Sequence, residues 1–153
     1  MKTEQIPRIF FAAMRRKYTE TKQERAVAET GPEILFEDGG FKVIYLTGSA
    51  GQYRFDRVII FYLGVPAWTM SSEGWCRENA IPFLESTLLK TYGQRDFHGG
   101  RGPRTVPGPG GMLYENRVAE ASSWRRFSGR EEIFDCDDQC IGWREYHGLL
   151  LME

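Results

Sequence analysis

Residues 39–70 read GGFKVIYLTGSAGQYRFDRVIIFYLGVPAWTM, and this stretch decides the fold class. Phe41 to Leu46 is apolar except at Lys42, which suits a strand covered on both faces. Gly48 to Gly51 marks a turn, and Tyr53 to Leu63 forms a longer strand ending in Ile59, Ile60, Phe61 and Tyr62. Gly64 and Pro66 punctuate the next reversal, after which Ala67 to Met70 continues as a third strand. Consecutive strands joined by short turns pair antiparallel.

Outward from this stretch, helices appear on both sides. Ile6, Ile9, Phe10, Ala13 and Met14 recur at helical spacing, with Thr3 as N-cap and Pro7 tolerable in the first turn. Residues 19–40 are a polar connector rich in Glu and broken by Gly31–Pro32. Ile81, Leu84, Leu88 and Tyr92 define a second apolar stripe over residues 78–92, with Pro82 near its start and Gly93 as its stop. Residues 93–111 hold seven glycines and three prolines, which predicts a long loop. Strand character resumes at Met112–Val118, Trp124–Phe127, Glu132–Phe134 and Ile141–Leu151. Phe55–Gly74 and Phe127–Gly148 share one grammar of aromatic strand, turn, Trp-bearing strand and glycine, so a duplicated hairpin unit is one reading.

At 153 residues, with 41% hydrophobic and 27% charged positions, the chain fits a single domain over 1–153 and excludes disorder and low complexity. A net charge of −1 gives no global field toward nucleic acid or an anionic membrane, and neither is an expected partner. Cys76, Cys136 and Cys140 are an odd set without CxxC spacing, so free thiols are expected, with no zinc site and no other metal or cofactor. No apolar run is long enough for a signal core or a span, and a cytoplasmic location is expected.

PAWTMSSEG at 66–74, RGP at 101–103, LYEN at 113–116, FSGREEI at 127–133 and HG at 147–148 together resemble the bacterial and archaeal family catalogued as domain of unknown function 5680. The likeness runs from Phe10 to Leu150. Members of that family are often joined to a helix-turn-helix domain of the phage-repressor type, for which the residues ahead of Phe10 leave no room. The resemblance implies a regulatory association and carries over no catalytic residue.

Walker, HExxH and GxSxG motifs are absent, and no catalytic residue is named. The ligand-binding candidates are His98, Arg101, Arg104, Trp68, Glu132 and Trp143. Arg101 and Arg104 flank Gly102–Pro103, where two planar guanidinium groups could grip one carboxylate or phosphate, with His98 as a further donor. The competing reading makes Arg101 a salt bridge to the acidic 131–138 hairpin. Of Glu131 and Glu132, adjacent on a strand, one must point inward and need a partner such as Arg125, Arg126 or Arg144. Trp68 and Trp143 are core aromatics by default, or the floor of a pocket.

The expected architecture is α+β: an antiparallel sheet of six or seven strands, open or closing into a partial barrel, with two helices packed on it. The expected function is a non-enzymatic module that binds or senses a small anionic molecule or a partner protein, as monomer or homodimer. The alternatives are an enzyme acting on an anionic substrate under a 93–111 lid, and an interaction or inhibitor protein.

Overall fold

The computed structural model describes residues 3–20 and 31–152. Helix α1 (Gln5–Glu20) precedes strands β1 (Gly31–Asp38), β2 (Phe41–Ala50), β3 (Tyr53–Tyr62) and β4 (Val65–Cys76). Helix α2 (Ile81–Gln94) precedes β5 (Thr105–Pro107), β6 (Leu113–Val118), β7 (Arg126–Phe134) and β8 (Cys140–Leu150). All eight strands form one open antiparallel sheet in the order β1-β2-β3-β4-β8-β7-β6-β5. The chain is therefore a helix and a four-strand meander, written twice, with the final strands of the two meanders paired at the centre. No described helix is long and apolar enough to cross a membrane.

The class is α+β as the sequence implies, with eight strands in place of six or seven. The polar connector ends in a strand, β1, whose Leu35 is buried against α1; residues 21–30 of that connector lie outside the described ones. The short strand β5 emerges from the glycine-rich stretch. Residues 124–134, read as two strands, contain one, because Gly129 sits mid-strand beneath the Tyr146 ring. Gly93 does not stop α2; the helix runs one residue further and closes on Arg95, at φ 60°, whose N–H donates to the Thr91 carbonyl.

Period-two alternation places Val43, Tyr45, Val58, Ile60, Trp68, Met70, Phe127, Ile133 and Tyr146 on the helix-covered face. Both predicted helical stripes, Ile6–Met14 and Leu84–Tyr92, pack into that core. At its centre Trp68 is fully enclosed between Phe10, at 5.2 Å centroid distance, and Phe127, at 5.6 Å. Its indole N–H donates to the Trp124 carbonyl at 2.9 Å, which satisfies the ring's polar atom inside the core. Several register pairs oppose a large side chain to glycine, including Phe55 with Gly48, Tyr146 with Gly129 and Phe127 with Gly148. A Cβ at any of these glycines would lie within 2.5 Å of its partner's ring, so the pairs must be read together.

The C-terminal stretch is the central strand, and its end is tied down by Leu150 N–H to the Arg125 carbonyl and Leu151 N–H to the Ala67 carbonyl, both 2.8 Å. Trp68→Ala should cost about 3–5 kcal/mol in denaturant unfolding, as truncation of a buried large aromatic does. Leu149→Ala, on the exposed face two strand positions from that anchor, should stay within about 0.5 kcal/mol. Equal costs would mean that the outer face is covered.

Candidate functional site

A row of polar residues crosses the otherwise apolar inner face. Register pairs Thr47 with Asp56, Asp56 with Ser72, Ser72 with Tyr146, Arg144 with Glu131, and Glu131 with Asn116, running over β2, β3, β4, β8, β7 and β6. Buried charge demands partners, because transfer from water costs far more than one hydrogen bond returns. Two carboxylates meet that demand in different ways.

Asp56 Oδ1 accepts from the Tyr45 hydroxyl at 2.7 Å and from Thr47 Oγ1 at 3.1 Å. Its Oδ2 accepts from Ser72 Oγ at 3.1 Å and from Arg144 Nη1, which also reaches Ser72 Oγ at 3.2 Å. Burial alone would raise the Asp56 pKa; the Arg144 charge, the Tyr45 hydrogen bond and the field of Arg101 outweigh it and hold the carboxyl below its ordinary value. The same enclosure, with the Asp56 carboxylate beside it, pushes the Tyr45 phenol well up.

Glu131 is 2% exposed and receives Arg101, reaching in from the loop that follows α2. Arg101 donates Nε at 3.0 Å and Nη2 to Oε1, while the Tyr114 hydroxyl donates to Oε2 at 2.6 Å. Gly102 N–H closes the circuit onto Tyr114 at 2.9 Å. Asn116 Nδ2 donates to the His98 and Gly102 carbonyls, at 2.9 and 2.7 Å, and its Oδ1 accepts from the Tyr146 hydroxyl at 2.7 Å. Tyr92 of α2 donates to the Gly100 carbonyl at 2.8 Å. RGP, LYEN and FSGREEI, three separate stretches of sequence, thus meet at one carboxylate.

Along the band the charges alternate as Asp56, Arg144, Glu131 and Arg101. All four act on the hydroxyl of Tyr18, which α1 brings over them with its ring 5.5 Å from that of Tyr92, although burial is what chiefly raises its pKa. One group in the band is unfinished. Among the described residues the buried Arg144 Nε has no hydrogen-bond partner, although Nη1 of the same guanidinium makes two.

The six candidates from sequence are placed apart. Arg101 is 3% exposed and engaged with Glu131, whereas the Arg104 side chain lies in solvent. His98 is half-buried and contributes its carbonyl, as Arg104 does in accepting the Asn116 N–H at 2.9 Å. Trp68 is in the core. Glu132 and Trp143 share the outer face with Arg130, and the inward member of the acidic pair is Glu131, whose partner is Arg101 in place of Arg125, Arg126 or Arg144. Sequence reasoning passed over Asp56, Tyr45, Tyr114, Asn116 and Tyr146 as site members. The available signal was Asp56 itself, a residue disfavoured in strands, set at the inward parity of β3. Among the described residues no three of His, Cys, Asp or Glu gather as metal ligands.

Glu131→Ala strips a buried Arg101 of its counter-charge and should cost about 3–5 kcal/mol, whereas Arg101→Met with Glu131→Leu should cost far less. Because the folded Asp56 pKa is depressed, its contribution is complete above the unfolded value, about pH 3.9, and is lost as pH falls through the folded one. Urea midpoints should therefore drop on acidification in the parent, and that part of the slope should vanish in Asp56→Asn. Burial raises the Cys76 thiol to about 11, so alkylation at neutral pH should modify exposed Cys136 first and leave Cys76 until unfolding. Compared with known proteins, the chain matches no family model, no curated protein and no solved structure.

Proposed function

We propose that the chain is a non-enzymatic binding module of sensing or regulatory type, which takes a small anionic molecule between the helix pair and the polar band. The observation that carries this reading is Arg144. A guanidinium has five N–H donors in a planar fork. Here Nη1 is spent on Asp56 and Ser72, and the buried Nε on the opposite edge is left without an acceptor among the described residues. A carboxylate on that edge would complete the alternation of charge and restore a satisfied set of donors. The phenols of Tyr18 and Tyr45, one from α1 and one from β2, supply the amphipathic wall that such sites use for orientation.

The loop at 93–111 supports a holding role over a closing one, because Arg101, Gly102, His98 and Gly100 all tie it to buried partners. The regulatory character rests on the resemblance to a family whose members accompany DNA-binding domains.

The test is a melting-temperature screen with aliphatic and aromatic monocarboxylates on the parent chain and on Asp56→Asn/Arg144→Met, which removes both charges together and leaves neither buried alone. A carboxylate bound to the native state at a hundred times its Kd should add about 2.7 kcal/mol of stability to the parent. The double variant should show no shift. An equal shift in both proteins, or none in the parent, would reject the Arg144 site.

A further inference from the structure

The opposite face of the sheet carries a second arrangement, independent of the band. Odd positions of β3, β4 and β8 point away from the helices, and register sets Tyr53, Trp75 and Trp143 side by side in one row. Phe55, Glu73 and Glu145 form the adjacent row. Tyr53 is 61% exposed and Phe55 56%, the latter lying flat over Gly48. Two large aromatics left in water on β3, beside half-buried Trp75 and Trp143 on β4 and β8, mark an interaction surface more often than a core.

What that surface receives is indicated by the chain itself. Arg130 lies over the Trp143 ring at 4.6 Å from its centroid, with Nη1 2.9 Å from Glu145 and Nη2 3.7 Å from Glu132. One cation, one indole face and two carboxylates make a complete unit. One strand over, Trp75 and Tyr53 stand beside exposed Glu73 without the cation: no ion pair of Glu73 exists among the described residues. Segment 131–145 lends this face Trp143 and Glu145 and holds six acids, of which Glu131 faces inward to Arg101, Glu132 and Glu145 belong to the Arg130 unit, and Asp135, Asp137 and Asp138 lie in the β7–β8 connection beside it. Glu73 and the three aspartates of that connection favour a cation and repel phosphate, while Arg57 on the same face, one row beyond Phe55, is held by Ser71 at 3.0 Å.

We infer that the outer face of β3, β4 and β8 docks an arginine-bearing basic segment of a partner protein, one of whose guanidinium groups stacks on Trp75 and pairs with Glu73 as Arg130 does on Trp143 with Glu145. Arginine suits the site better than lysine, because its plane can lie on an indole while its edge donates to a carboxylate.

The probe is a hexa-arginine peptide titrated into the full chain, followed by tryptophan fluorescence and calorimetry, with hexaglutamate and a cello-oligosaccharide as comparators. Saturable binding of hexa-arginine is expected, weakening as salt is raised. Trp75→Leu keeps apolar cover without the indole, and Glu73→Gln removes the charge. Each should weaken binding roughly fivefold or more with the melting temperature unchanged. Glu120→Gln, in the β6–β7 connection, should leave binding as it was. If Trp75→Leu fails to fold, Glu73→Gln paired with Glu145→Gln carries the test. Equal binding in all variants means general attraction to an acidic protein and overturns the inference. So does a preference for the oligosaccharide, which makes the row a sugar platform, or concentration-dependent self-association lost in Trp75→Leu, which assigns the face to a second copy.

Discussion

A carboxylate sealed from water at Glu131 is the constraint on which much of this molecule turns. It is nearly inaccessible, and in that position it must be met by a full positive charge and by a hydroxyl donor. The charge comes from Arg101, thirty residues earlier in the chain and outside any regular element, so satisfying one side chain dictates the course of the loop after α2. Gly99, Gly100 and Gly102 then have to be glycine, because Tyr146, Met70 and Tyr114 occupy the space where a Cβ would stand. A stretch whose composition suggests slack is held by its smallest residues against the largest ones in the core.

The same logic explains which parts of the structure were legible in the sequence. Both helical stripes and the strands from Phe41 to Met70 announce themselves by their apolar runs, although β2 continues to Ala50 through the Gly48 read as a turn and the β3–β4 register shifts at Ile60/Phe61. The strand at Gly31–Asp38 is hidden because Ile34, Leu35 and Phe36 are flanked by Gly31–Pro32 and by acids, and its stability comes from pairing with β2 and not from its own pattern. Gly129 looks like a turn and is in fact room for a tyrosine. The polar band was readable in part. Arg101 stood out by composition, and its tie to the acidic hairpin was one of two readings, but the convergence of Tyr114, Asn116 and Tyr146 depends on register between strands far apart in sequence, which no local pattern encodes.

The two faces of the sheet solve opposite problems with similar residues. Inside, acids and arginines alternate so that no charge is left alone, apart from one guanidinium nitrogen. Outside, tryptophan and tyrosine lie beside carboxylates, and a single arginine finishes only one end of the row. Arg130 and Arg144 are both close to Glu145 in the ladder, yet strand parity sends one to solvent and the other to the core. A single-residue slip in the β7–β8 register would put the two arginines on one face, which is why the glycine pairs that fix the register matter to both sites.

The position of β8 has a consequence for synthesis. Residues 142–150 pair with residues 68–76 on one side and with β7 on the other, so the last of the described strands to be made occupies the middle of the sheet. While a ribosome is still extending the chain, the first meander must wait with β4 unpaired along one whole edge, and Trp68 lacks Phe127 above it. Such an open edge is a template for strands of other chains. Translation pauses, or a chaperone that shields β4 until residue 150 has cleared the exit tunnel, would bear directly on the yield of folded protein, and aggregation during expression would reflect chain order more than final stability.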